Sequence, residues 1–347
     1  MRGRRLRDGD RVRLVSPSSF PDADWAEQVA ATLAGWGLRP ELGRHALDRR
    51  GFLAGRDEDR LADLNAAFSD PGVRAVVAIL GGAGAYRIVD GIDLAAVRAD
   101  PKPVIGYSDI TNLHLALWAR TGLANVHGCV GTGGRTDASA RQMLFGVEPI
   151  TVHADPAALS AEVTVAGRAT GVLVGGNAGA VSTFVGAGLP SVEGAILCLE
   201  GAQNPHFDRL LWSLHRSGAL RGVRGFAIGD LAGLDAGLPD LDGAILLLTG
   251  ERAPGLGQVD RQLTHLRRAG VLERIRGVAV GRFTGFDDYV DRGWTLTDVL
   301  SDRLGDLGVP VLGGLPVGPG RTAVPIGPGA ELDADAGTLV VAAGVTP

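Results

Sequence analysis

Residues 101–111 read Pro101-Lys102-Pro103-Val104-Ile105-Gly106-Tyr107-Ser108-Asp109-Ile110-Thr111, and this stretch decides the fold. Pro103-Val104-Ile105 predicts a short buried strand, and Gly106-Tyr107-Ser108-Asp109 a tight turn. From Ile110 to Arg120 the apolar residues Ile110, Leu113, Leu117 and Trp118 recur at helical spacing. A strand, a sharp turn bearing serine, then a helix is the layout of a nucleophile elbow, which lifts a hydroxyl clear of the sheet. The helix N-terminus behind it offers free N–H groups to a developing negative charge. Ser108 also reads as a plain helix cap, since serine is common before helices and this G-x-S lacks the second glycine of the elbow motif.

Outward from that unit the same alternation continues. Arg11–Val15 predicts a strand followed by the loop Ser16-Pro17-Ser18-Ser19. Trp25 to Trp36 is an amphipathic helix ending at Gly37, and Glu41-Leu42-Gly43 a second short strand. Asp57 to Phe68 is a helix with Leu61, Leu64 and Phe68 on one face. Val73 to Leu80 is a strand, followed by Gly81-Gly82-Ala83-Gly84-Ala85 and a helix from Tyr86 to Ile92. Ala124 to Gly128 is a further strand. Strands alternating with helices imply an α/β fold with a doubly wound parallel sheet, whose site lies at the carboxyl ends of the strands. Ser16, Gly82 and Ser108 all fall there. The glycine loop does not match G-x-G-x-x-G, and no acidic ribose ligand follows at the required distance. It reads either as a plain turn or as part of an oxyanion hole, pairing the N–H of Gly82 with that of Asp109.

Composition narrows the class. The chain has 347 residues, 45% apolar and 21% charged, with net charge −5, so no general attraction to nucleic acid or membrane is expected. Its 53 glycines exceed the usual ~7% but follow no period. Cys129 and Cys198 are too few for a disulfide framework or a zinc site, so no metal is expected. The basic start (Arg2, Arg4, Arg5, Arg7) lacks the apolar core of a signal peptide, and no run is long enough to span a bilayer; a cytoplasmic protein is expected.

The expected domains are 1–150, bearing Ser108, and 169–347, joined by an irregular linker at 151–168. The second opens with the strand Gly171 to Asn177 and a helix from Ala178 to Gly186. It carries a duplicated strand-helix-strand unit, with copies at about residues 191–234 and 240–286. Gly194-Ala195-Ile196-Leu197-Cys198-Leu199-Glu200-Gly201 is echoed by Gly243-Ala244-Ile245-Leu246-Leu247-Leu248-Thr249-Gly250, and Asp208-Arg209-Leu210 by Asp260-Arg261-Gln262. A helix (Thr297 to Leu307), a strand (Val309 to Leu312) and a hairpin-like end (Ala330 to Val341) complete the chain.

These residues resemble the LD-carboxypeptidase family of serine peptidases, which includes muropeptide LD-carboxypeptidases and microcin C immunity peptidases. The likeness runs through Ser16-Pro17-Ser18, Gly51-Phe52-Leu53-Ala54-Gly55, Gly81 to Arg87, Pro101 to Thr111, His127-Gly128, Gly175-Gly176-Asn177 and Gly313-Gly314-Leu315-Pro316. It implies a Ser–Glu–His triad with Ser108 as nucleophile and Gly82 and Asp109 as oxyanion hole. The acid sits at the end of the strand opening the duplicated unit: Glu200 in the first copy, whereas the second has Thr249 and then Glu251. The triad histidine belongs near residue 319, but the chain reads Gly318-Pro319-Gly320-Arg321, and proline cannot shuttle a proton. A serine hydroxyl without a base is a poor nucleophile. His206, six residues after Glu200, is the best stand-in. His114, His127, His215 and His265 read as structural, and His45 and His153 lack context.

Tyr107 and Arg87 are candidate substrate contacts, with Arg282 and Arg321 as further cations for a substrate carboxylate. The resemblance implies a homodimer without cofactor, acting on a small peptide-like or acylated small-molecule substrate. Three outcomes fit: a hydrolase or acyl-transfer enzyme with an altered triad, a pseudoenzyme that binds a peptide-like ligand, or a biosynthetic enzyme running cyclisation or elimination in the same cleft.

Overall fold

Among the described residues, apolar strands too short to be stable alone pair into two large sheets and one two-stranded sheet, and the order of the strands fixes where a site can form. The computed structural model describes residues 1–158, 161–162, 164–177, 180, 244–251, 255–268, 272, 275–284, 286, 289–291, 293–317 and 321–347. In chain order the elements are β1 (Gly3–Arg4), β2 (Arg11–Val15), α1 (Ala23–Gly35), β3 (Arg39–Leu42), α2 (Asp57–Ser69), β4 (Val73–Ala78), α3 (Leu94–Ala99), β5 (Val104–Gly106), α4 (Thr111–Thr121), β6 (Asn125–His127), α5 (Gly134–Phe145), β7 (Ile150–His153), β8 (Arg168–Gly175), β9 (Ala244–Glu251), α6 (Leu256–Arg268), β10 (Ile275–Thr284), α7 (Leu296–Leu304), β11 (Val311–Leu312), β12 (Val324–Ile326), β13 (Gly329–Asp333), β14 (Thr338–Val341) and β15 (Val345–Thr346).

The first sheet has 6 strands in the order β12-β6-β5-β4-β2-β3. β2 to β6 run parallel, and β12 is antiparallel to β6. From β2 the chain steps one way to β3, then crosses to β4, β5 and β6 on the other side. This reversal opens a crevice at the carboxyl ends of β2 and β4, where α/β sheets bind ligands. Val12, Leu14, Val76, Ile105 and Val126 are fully buried in this sheet, each stabilising it by roughly 1.5–3 kcal/mol.

The second sheet has 7 strands in the order β11-β10-β9-β8-β13-β14-β7, with β8 to β11 parallel and the rest antiparallel. Its β9–α6–β10 is the strand-helix-strand expected of the second repeat copy. The first copy, at 191–234, lies outside the described residues, as does nearly all of the helix expected at 178–186. The two sheets exchange strands. β7 belongs to the second sheet although the connection was expected to begin at 151, and β12 returns from the C-terminal half to the first. β1 pairs with β15, tying the two ends of the chain.

Local signals explain most boundaries. The Asp22 carboxylate accepts the Trp25 N–H at 2.7 Å and caps α1. α2 opens with Asp57, Glu58 and Asp59, which favour its positive end. Its last carbonyls are capped by buried Lys102, whose Nζ donates to Ala67, Phe68 and Asp70 oxygens at 2.9, 2.6 and 2.7 Å. Burial pushes that ammonium below its ordinary pKa. The helix expected from Tyr86 to Ile92 is instead two short turns, Ala85–Arg87 and Val89–Gly91. Gly91 lies too close to Leu61 for a side chain, and Asp93 caps the new helix α3 by accepting from Ala95 and Ala96, each at 3.0 Å. No helix among the described residues is long and apolar enough to cross a membrane.

Candidate active site

Buried β5 delivers the chain to the carboxyl edge of the first sheet, and the backbone must turn at once into α4. Ser108 makes that turn with φ 57°, the one left-handed non-glycine among the described residues. Such a conformation costs an L-residue about 1–2 kcal/mol and is held only by well-determined surroundings. Those surroundings are close. A Cβ at Gly106 would lie 2.6 Å from Ile110 Cγ2, and one at Gly81 would lie 2.8 Å from Ser108 Cβ. Glycine at both positions lets the β4 loop press against the elbow. Ser108 itself is partly exposed, and among the described residues no group hydrogen-bonds its hydroxyl.

The Gly82 and Asp109 amides, expected as oxyanion donors, enter no turn or loop hydrogen bond among the described residues. Gly82 has φ 109°, and a Cβ there would overlap the Ser19 side chain. Ser19 N–H donates to Gly81 O at 3.3 Å, and Ala83 N–H to Ser19 Oγ at 3.2 Å. The Asp109 side chain turns inward. Its Oδ2 accepts the Ser18 hydroxyl at 2.7 Å and the Ala85 N–H at 2.8 Å, and its Oδ1 accepts Asn112 Nδ2 at 2.8 Å. Burial raises its pKa above the ordinary carboxylate value, against the pull of the Ala85 amide, the Ser18 hydroxyl, the Arg60 cation and Asn112.

Arg60 was not legible as a site residue, yet its side chain is fully buried beneath these loops. Its guanidinium donates to the carbonyls of Pro17 and Gly84, and at 2.6 Å to Asp57 Oδ1. The available signal was an arginine on the stripe Arg60, Leu64, Ala67 and Phe68, all of which α2 buries. From the second sheet, the loop after β8 docks onto the elbow helix. Asn177 N–H donates to Thr111 Oγ1 at 2.8 Å, and a side chain at Gly176 would overlap the same hydroxyl.

Glu200 and His206 lie outside the described residues, as does Pro319. Tyr107 is partly exposed beside Ser108. Arg87 is exposed on the rim, but its guanidinium is engaged by Asp57, with Nε donating to Oδ2 at 2.9 Å. Arg282 lies on β10, and Arg321 is exposed. His114 is fully buried in α4, its ring 6.2 Å from that of His127 and edge-on to it. Burial, then the neighbouring His127, drives its pKa well below 6.5, so it stays neutral. His127 ends β6, paired in register with Gly106 of the elbow strand. His45 bonds Asp48 at 2.8 Å through Nδ1.

The family's N-terminal domain, described as "LD-carboxypeptidase N-terminal domain", matches residues 12–128, the span that holds this whole constellation. Its C-terminal domain matches in two overlapping spans, 170–237 and 231–333. The chain belongs to the LD-carboxypeptidase family. Among its relatives is a putative carboxypeptidase of Streptomyces coelicolor, 33% identical over 98% of this chain and 96% of that protein. The murein tetrapeptide carboxypeptidase of Pseudomonas aeruginosa is 35% identical over 63% of this chain and 76% of its own. The solved MccF-like protein of Bacillus anthracis shares the fold, with TM-score 0.74 at 20% identity over 99% of each chain. The family is one of peptidase-like hydrolases, and the relatives matched here are named carboxypeptidases.

Proposed function

We propose that the protein cleaves an amide bond in a small peptide or aminoacyl-amide substrate through Ser108. The left-handed turn at Ser108, φ 57°, carries this reading, because a strained backbone there keeps the serine partly exposed at the edge of the crevice. Ser108 Oγ attacks the carbonyl carbon and gives its proton to a base. The Gly82 and Asp109 N–H groups receive the oxyanion. The tetrahedral species collapses with loss of the amine, which takes up that proton, and water then hydrolyses the acyl-serine. Glu200 and His206 are the assigned acid and base, with His206 replacing the histidine displaced by Pro319. The two overlapping C-terminal-domain matches support a duplicated unit as the source of this rebuilt half-site. Tyr107 and the arginines at the rim are assigned to the substrate's polar groups. A cytoplasmic homodimer without cofactor belongs to the same proposal.

Pro319 favours a second reading, a pseudoenzyme that binds a peptide-like ligand and cuts nothing. A fluorophosphonate probe decides between them. Covalent labelling of Ser108, lost in Ser108→Ala, supports the hydrolase; an unlabelled, folded wild type supports the pseudoenzyme.

A further inference from the structure

We propose that the Asp109 carboxylate, backed by the Arg60 guanidinium, is the positioning device of the oxyanion hole, bolting the loops after β2, β4 and β5 into one piece. The inference rests on the hydrolase reading and deepens it. Each loop leaves a different parallel strand, and the backbone alone joins them weakly: Ser19 N–H to Gly81 O is 3.3 Å. Asp109 supplies what the backbone lacks. One oxygen holds Ser18 of the β2 loop and Ala85 of the β4 loop; the other holds Asn112 of its own elbow helix. Gly82 thus lies between two anchored points, the Gly81 carbonyl and the Ala85 amide. The second oxyanion donor is the amide of Asp109 itself, fixed by the same side chain.

Arg60 completes the bolt from below. It spans Pro17 of the β2 loop and Gly84 of the β4 loop and supplies the positive charge facing the buried carboxylate. Asp57 neutralises Arg60 on its outer side and also engages Arg87. The carboxylate is needed because it faces donors on both oxygens. An amide has one acceptor oxygen, so Asp109→Asn sets an N–H group either against the Ser18 and Ala85 pair or against Asn112, whose own amide must then turn over and give up its bond to the Asp109 carbonyl. Donors to an oxyanion lose their worth when displaced by about 1 Å, at a cost near 100-fold in rate.

The test uses the full-length chain and two readouts: fluorophosphonate kinetics that separate kinact from KI, and backbone hydrogen exchange. For Asp109→Asn, kinact falls about 10- to 100-fold while KI stays within about 2-fold, as expected for a loss confined to the transition state. Exchange rises together in peptides covering residues 16–20 and 81–88 and stays unchanged in the second sheet. Ser18→Ala, which removes a single donor, gives the same pattern at a few-fold scale and serves if Asp109→Asn fails to fold. Wild-type kinact and wild-type exchange in both loops, in the variants that fold, overturn the proposal. If the wild type is not labelled at all, the hydrolase reading fails by itself. Exchange then still decides whether Asp109 is the bolt: joint loosening of the two loops supports it, and unchanged uptake overturns it.

Discussion

At Ser108 the backbone holds a conformation that a Cβ disfavours, with φ 57°. Ser108→Ala keeps the Cβ and Ser108→Gly removes it, so both lose probe labelling while the glycine variant is the more stable by roughly 0.5–1 kcal/mol, after the extra freedom of unfolded glycine is subtracted. Chemical denaturation of the pair, read beside labelling, checks this; alanine equal to or above glycine would show the turn to be unstrained. His114 sets a second residue-scale expectation. Its folded pKa lies well below 6.5, so from about pH 6.5 downward the unfolded chain binds a proton that the folded chain refuses. The stability this group contributes is full above pH 6.5 and is lost as pH falls toward its folded pKa. In urea titrations from pH 7.5 to 5, His114→Gln therefore shows a slope shallower by up to about 1.4 kcal/mol per pH unit than the wild type.

Among elements, the joints matter more than the helices themselves. The end of β8 meets the start of α4 through Asn177 and Thr111, and Gly176 has φ 144° where a side chain would strike that threonine. Gly176→Ala is expected to lower stability by about 1–3 kcal/mol and to slow Ser108 labelling, because it pushes the second sheet off the elbow helix. Thr111→Val, losing one hydrogen bond, costs about 1 kcal/mol. Thermal melts of both variants, with labelling rates measured alongside, test whether this contact couples the halves. Lys102 is the joint between α2 and the approach to β5. Lys102→Met leaves the buried helix-end carbonyls of Ala67 and Phe68 without their donor, at an expected cost of about 3 kcal/mol in urea.

Over the whole molecule, the C-terminal stretch is structural in both halves. β12 edges the first sheet, β13 and β14 lie inside the second, and β15 pairs with β1. Ala323 N–H also donates to Ser139 Oγ at 2.9 Å, against α5. A chain ending at residue 321 is therefore expected to lose cooperative folding in both sheets at once, seen as loss of near-ultraviolet dichroism and rapid proteolysis of residues 1–150. A protease-resistant 1–150 fragment would instead show that the first sheet stands without its returning strand.

The sequence by itself determined the local units: the strand-turn-serine-helix at 101–121, the alternation that makes a parallel sheet, the glycine loop after β4, and membership of the LD-carboxypeptidase family. Each is written in neighbouring residues or in a contiguous motif. Tertiary structure alone decided what joins them. Ser18 reaches Asp109 across 91 residues and Ala323 reaches Ser139 across 184. Which strands become neighbours depends on the order of the whole sheet, and periodicity within one strand does not encode it. For the same reason nothing in the sequence singled out Arg60. Only the stacking of the loops after β2 and β4 above it turns a solvated cation into a buried support of the candidate active site.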